Sequence, residues 1–137
     1  MGFGKPRWPR PRKAKAFQAA PETPVITPHR ADVWLVDLNP TRGHEQAGQR
    51  PALVVSEDIF NEGPAELCIV IPITSKLRPI PSQVRIPRAE AGLDKDSAAL
   101  CEAVRSISRS RFVRKLGTIR QERMRIVEDS LRILIGL

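Results

Sequence analysis

Five or six short β-forming segments followed by one amphipathic helical stretch predict a β-rich α+β domain. The architecture expected is a small curled sheet or barrel with a helix packed on it. Three observations carry this expectation. Apolar runs of four to seven residues recur between turn clusters from Ala31 onward. Near the C-terminus the apolar period changes, with Met124, Val127, Leu131 and Leu134 at spacings of three and four. Finally, 137 residues with 41% hydrophobic content suffice for one compact core, and with no Tyr and few Phe or Trp that core must be aliphatic.

Val33-Trp34-Leu35-Val36-Asp37-Leu38 reads as the first strand, rich in β-formers and alternating toward its end. Asn39-Pro40-Thr41-Arg42-Gly43 is a turn cluster, and a polar loop continues to Gln49. Ala52–Val55 is short and wholly apolar, as expected of a strand buried on both faces. Glu57–Glu62 reads as a helical turn, ended by Gly63-Pro64. Leu67–Ile73 is a third strand, with Pro72 near its end, where a missing N–H is tolerable. Gln83–Ile86 and Ser97–Glu102 read as a fourth and fifth strand, and Val104–Ile107 as a short sixth segment. The C-terminal helix has a poor start: Thr118 is the nearest good cap, and Arg120 stands where an acid or Ser would suit the helix dipole. Gly136 can end it.

The formal charge of +8 is unevenly spread. Residues 1–30 carry seven Lys or Arg against one acid, Glu22, whereas 31–137 are close to balanced. Pro6, Pro9, Pro11, Pro21, Pro24 and Pro28 crowd the same basic stretch, which reads as an extended, poorly ordered tail. The domain boundary falls near His29–Ala31, giving a basic tail at 1–30 and a folded domain at 31–137. The pI near 10.5 therefore describes the tail more than the domain. The tail's charge suits a polyanion such as RNA, although a merely solubilising extension has the same composition. Cys68 and Cys101 lie within apolar runs, and Gly4–Lys15 has no apolar signal core. Together with the lack of any long apolar span, this predicts a soluble, cytoplasmic protein without membrane contact, its two thiols unpaired.

No metal framework or phosphate-binding glycine loop is present: the cysteines are far apart, and His29 and His44 lack partners at ligand spacing. No cofactor is expected. The informative stretch is the polar loop between the first two strands, which carries Arg42, His44, Glu45, Gln46 and Arg50. A polar loop on a rigid sheet is a common place for binding and catalysis. A solvated hairpin with an ion pair between Glu45 and an arginine would look the same from residue types alone.

Asp32-Val-Trp-Leu-Val-Asp37, Asn39-Pro-Thr-Arg-Gly43, Glu45-Gln-Ala-Gly48 and Arg50-Pro-Ala-Leu-Val-Val55 resemble the N-terminal signature of the MazF/PemK (Kid) toxins. Val70-Ile-Pro-Ile-Thr-Ser75 resembles that family's third-strand motif. Gly92-Leu-Asp-Lys-Asp-Ser97, Leu100-Cys-Glu102 and Val104-Arg-Ser-Ile107 resemble its fifth-strand region. The match runs in order from about Ala31 to Leu137 and leaves the tail outside.

The resemblance implies an SH3-like barrel of the CcdB/Kid/MazF type with a C-terminal helix, assembled as a homodimer. It implies metal-independent, sequence-selective cleavage of single-stranded RNA to 2′,3′-cyclic phosphate and 5′-hydroxyl ends. A cognate MazE-like antitoxin, with an acidic segment over the RNA groove, would neutralise it. Arg50 and Thr74 become the catalytic pair, with Arg42, His44, Glu45, Gln46, Ser75 and Glu102 binding RNA or supporting the site. The residue types suit the reaction, because the substrate's own 2′-OH is the nucleophile and a guanidinium can meet two phosphate oxygens.

Three features depart from the family pattern. Glu102 is followed by Ala103 where Gln is usual, His44 replaces a small hydroxyl residue, and the basic tail is extra. A rival reading is a non-catalytic binder, either a CcdB-like toxin acting on gyrase or a nucleic-acid-binding module. Neither needs Arg50 and Thr74 together.

Overall fold

The computed structural model describes residues 27–38 and 48–137. Seven antiparallel strands are arranged around two apolar clusters: β1 (Asp32–Asp37), β2 (Gln49–Val54), β3 (Leu67–Thr74), β4 (Gln83–Ile86), β5 (Ser97–Leu100), β6 (Arg105–Ser108) and β7 (Phe112–Thr118). Two single-turn helices, α1 (Asp58–Asn61) and α2 (Arg88–Ala91), interrupt them, and α3 (Gln121–Ile135) follows. The order across the sheet is β4-β5-β3-β2-β1-β7, with β6 added to β3 beside β2's partner segment. Three of the six consecutive strand pairs, β1–β2, β2–β3 and β4–β5, are hydrogen-bonded neighbours.

Alternation along each strand divides the side chains between two cores. Trp34, Val36, Ala52, Val54, Cys68, Val70 and Ile107 form one cluster, with Phe112 against it. Trp34 meets Phe112 edge-on at 5.6 Å between ring centroids. Because β6 pairs with β3 and β7 with β1, the 105–118 segment curls round to cover this face, which makes the sheet barrel-like. Val33, Leu53, Ile71, Ile73, Val84 and Ile86 point the other way and pack with Met124 and Val127 of α3. A helix therefore seals one face of the sheet and the sheet's own curl seals the other.

The expected architecture is present, with local differences that include the unanticipated α2. β7 was not anticipated. Its exposed Val113, Arg114 and Lys115 hide the period-two signal, and pairing with β1 through two register shifts fixes it as a strand. The fifth strand ends at Leu100, and Cys101–Ala103 turn as a 3-10 helix, so Glu102 is not a strand residue. β2 begins at Gln49 rather than Ala52, which brings Arg50 into the strand. The poor helix start is resolved from outside α3. Arg120 takes the N-cap position without a side-chain cap, and the Glu90 carboxylate accepts from its backbone N–H at 2.9 Å.

Glu90 also accepts from Arg123 Nη2 at 2.8 Å, so α2 and α3 are clamped together. That arginine holds the Glu90 carboxyl below its ordinary value of 4.5. α2 ends at Gly92 in the left-handed conformation, φ 71°. A Cβ there would lie 2.2 Å from the Leu116 carbonyl oxygen, and one on Gly117 would lie 2.7 Å from that of Ala91. Two glycines from different elements thus let backbone meet backbone, fixing the end of α2 against β7.

Both cysteines are buried and free. Burial pushes the Cys68 thiol up to about 11 and raises that of Cys101, so both stay protonated near neutrality. No helix among the described residues is long and apolar enough to cross a membrane.

Candidate active site

The β2–β3 register pairs Ala52 with Pro72, Leu53 with Ile71 and Val54 with Val70. Continuing it two residues toward the loop sets Arg50 opposite Thr74. Period-two alternation carries both on the side of the sheet that, deeper in, holds Ala52 and Val54. At the strand ends that side opens to solvent: Arg50 is exposed and Thr74 half-buried. The two residues line one cleft of about 310 Å³ with Pro51, Ile73, Ser75, Leu93, Asp94, Lys95 and Ser97.

Among the described residues, neither the Arg50 guanidinium nor the Thr74 hydroxyl hydrogen has a hydrogen-bond acceptor. The N–H of Lys76 donates to Thr74 Oγ1 at 3.0 Å, which occupies a lone pair and leaves the hydroxyl hydrogen available. Ser75 is exposed beside it. A guanidinium and a hydroxyl on adjacent strand ends can together present several donors to one tetrahedral oxyanion. Pro51, between Arg50 and the buried Ala52, restricts the backbone that carries the guanidinium.

Glu102 lies apart from Arg50, in a second cavity of about 310 Å³ that reaches Thr74 from the other side and includes Lys76, Arg78 and Gln83. Its carboxylate accepts from Ser82 Oγ at 2.6 Å and from Gln83 Nε2 at 2.8 Å. The Ser82 bond, and then the Gln83 bond, hold its carboxyl below the ordinary value of 4.5. Gln83 of β4 thus bonds the acid that precedes Ala103. Arg42, His44, Glu45 and Gln46 lie outside the described residues.

Of the expected site residues, Arg50, Thr74 and Ser75 come together, while Glu102 stands in the adjoining cavity. The sequence reading missed Asp94 and Lys95 as wall residues and Ser82 and Gln83 as partners of Glu102. The charged turn Asp94-Lys95-Asp96 was a visible signal for the first pair. Nothing local in the sequence marks the second, because it arises from β4 pairing with β5.

Comparison with known proteins identifies the family to which this fold belongs. Residues 29–135 match the family described as PemK-like, MazF-like toxin of type II toxin-antitoxin system. MazF from Deinococcus radiodurans is similar over 82% of this chain and 100% of its own, at 30% identity and a TM-score of 0.69. The structure of the MazE-MazF complex from the same organism gives 30% identity and a TM-score of 0.72 over 82% of this chain and 99% of that one. An endoribonuclease from a mycobacterial species, solved with its cognate antitoxin, shares the fold at 22% identity and a TM-score of 0.67, over 80% of this chain and 96% of its own. The chain belongs to the PemK-like, MazF-like toxins of type II toxin-antitoxin systems.

Proposed function

We propose that the protein is a toxin endoribonuclease that cuts single-stranded RNA without a metal. The observation that carries this is the placement of Arg50 and Thr74 at adjacent strand ends in one open cleft. In the reaction a ribose 2′-oxygen attacks the neighbouring phosphorus while the bond to the 5′-oxygen breaks. The 2′-hydroxyl proton is released and the departing 5′-oxygen takes one up, leaving a 2′,3′-cyclic phosphate and a 5′-hydroxyl. Arg50 meets the charge that builds on the non-bridging oxygens, and Thr74 donates to the same phosphate. Charge stabilisation and positioning do the work, with no dedicated base. Arg42, His44, Glu45 and Gln46 supply the substrate loop, and Ser75 and Glu102 contact RNA beside the scissile phosphate.

A MazE-like antitoxin with an acidic segment neutralises the toxin by covering this basic cleft, a reading supported by the D. radiodurans complex. The working unit is a homodimer. Supporting this, Ile126, Ile133 and Leu134 of α3 stay exposed beside Ile80 around a cavity of about 710 Å³. Arg85 and Asp129 line the same cavity, so a two-fold axis can place opposite charges face to face. Light scattering should give twice the 15.3 kDa chain mass. A fully active monomer contradicts that assembly. Pro28 is buried and Arg30 pairs with Glu128, so both belong to the folded domain, while in the cytoplasm Lys5, Arg7, Arg10, Arg12, Lys13 and Lys15 of the N-terminal stretch add phosphate contacts without reading sequence.

Incubation of the purified protein with a long mixed-sequence RNA in EDTA tests the main reading. Discrete cuts with cyclic phosphate and 5′-hydroxyl ends are expected. Intact RNA of retarded mobility would mark a binding module instead.

A further inference from the structure

We infer that Lys95 is a phosphate-binding residue of the RNA cleft, held in place by a backbone lock at Gly92 and Gly117. The inference rests on the endoribonuclease reading and adds to it a second cation that grips the substrate before the chemical step.

Charge makes the argument. The described ionisable residues lining the Arg50–Thr74 cleft are Arg50, Asp94 and Lys95. Without Lys95, the guanidinium and the Asp94 carboxylate would cancel, and this described wall would carry no net charge. With Lys95 the described wall carries one net positive charge, opposite to one phosphodiester.

The backbone around Lys95 is fixed on both sides. Before it, Gly92 sits against the Leu116 carbonyl and Gly117 against that of Ala91, at separations that no Cβ would allow. After it, the N–H of Arg88 donates to Asp96 Oδ1 at 3.1 Å, and Ser97 Oγ donates to the Lys95 carbonyl at 2.9 Å. Ser97 then begins β5, whose Ala98 pairs with Thr74 itself. The Lys95 side chain is exposed, and the neighbouring Asp96 is already engaged by the Arg88 N–H. The turn therefore fixes the backbone from which Lys95 reaches the cleft that Arg50 also lines.

The two cations then differ in role. Arg50 presents a planar fork suited to oxygens whose charge grows in the transition state. An ammonium on a flexible stem is a point charge that attracts the phosphate equally before and during reaction. Lys95 accordingly acts on KM, and Arg50 on kcat.

The test compares the parent protein with Lys95→Met and Lys95→Arg. Cleavage of a single-stranded RNA containing a mapped cut site gives kcat and KM, and a mixed-sequence single-stranded RNA gives affinity against salt. Lys95→Met should raise KM about tenfold with little change in kcat. It should also reduce the slope of log affinity against log salt by about 0.7, the share of one phosphate contact on a single strand. Lys95→Arg, which keeps the charge, should restore both, and cut positions should not move. Unchanged KM and salt slope in Lys95→Met overturn the inference, as does a fall in kcat with KM unmoved. A parent protein that cuts no RNA instead defeats the endoribonuclease reading on which it rests.

Discussion

The two ends of the β2–β3 pair do opposite things with the same register. At one end Val54 and Val70 face each other fully buried, and their neighbours Leu53 and Ile71 are fully buried on the other side of the sheet. At the other end the same alternation brings Arg50 and Thr74 out into an open cleft. The difference lies in what covers the strands. Residues 105–118 close over one face and α3 over the other, yet at the loop end of the β2–β3 pair Arg50 stays exposed and Thr74 half-buried. Rigidity is made where the strands are covered and spent where they are bare, which is how a polar pair keeps a fixed geometry in water.

If that division holds, substitutions at the two ends should separate cleanly. Leu53→Ala removes a fully buried side chain and should cost about 2–5 kcal/mol of stability. Thermal unfolding would report this as a lower Tm, and the protein that remains folded should retain its cleavage rate per molecule. Thr74→Val keeps the strand former and deletes the hydroxyl. It should slow cleavage about 10–100-fold, the cost of one hydrogen bond to a charged group, with Tm nearly unmoved.

Glu90 sharpens the comparison, because it joins elements rather than touching the cleft. Its carboxyl is depressed in the fold by Arg123, so it contributes stability above the ordinary value of 4.5. That contribution is lost as pH falls through the lower, folded value. Acid titration of stability should therefore be shallower in Glu90→Gln than in the parent, while cleavage by the folded enzyme is unchanged. An equally steep acid profile would show that the clamp between α2 and α3 does not contribute. The smallest effect is expected at His44. With no dedicated base, His44→Ala should leave the pH–rate profile between about pH 6 and 7 unaltered, the range where an ordinary imidazole titrates. Loss of an inflection there, with a fall of about 10²-fold or more, would make His44 the base.

Much of this was readable in the sequence because it follows from periodicity. The buried ends of β1, β2 and β3 are continuous aliphatic runs, and Met124 and Val127 of α3 occupy the helical stripe as expected. Leu134 continues that stripe but is exposed. Strand β7 was illegible because Val113, Arg114 and Lys115 are all exposed, which masks its alternation. Arg50 and Thr74 stood out through their motifs. Lys95 and Gln83 did not, because a cleft wall assembled from β5, its preceding turn and β4 exists only after the strands have paired. The start of α3 was misjudged for a similar reason: its capping acid, Glu90, lies 30 residues away from Arg120.

Arg50→Ala tests the account's central claim most directly, measured at once for cleavage of single-stranded RNA and for thermal unfolding. The account predicts a loss of about 10²–10³-fold in kcat, as for removal of one donor to developing charge, with an unchanged Tm because the side chain is exposed. Near-parental cleavage by Arg50→Ala would contradict it, and a Tm lowered in proportion to the lost activity would contradict it equally.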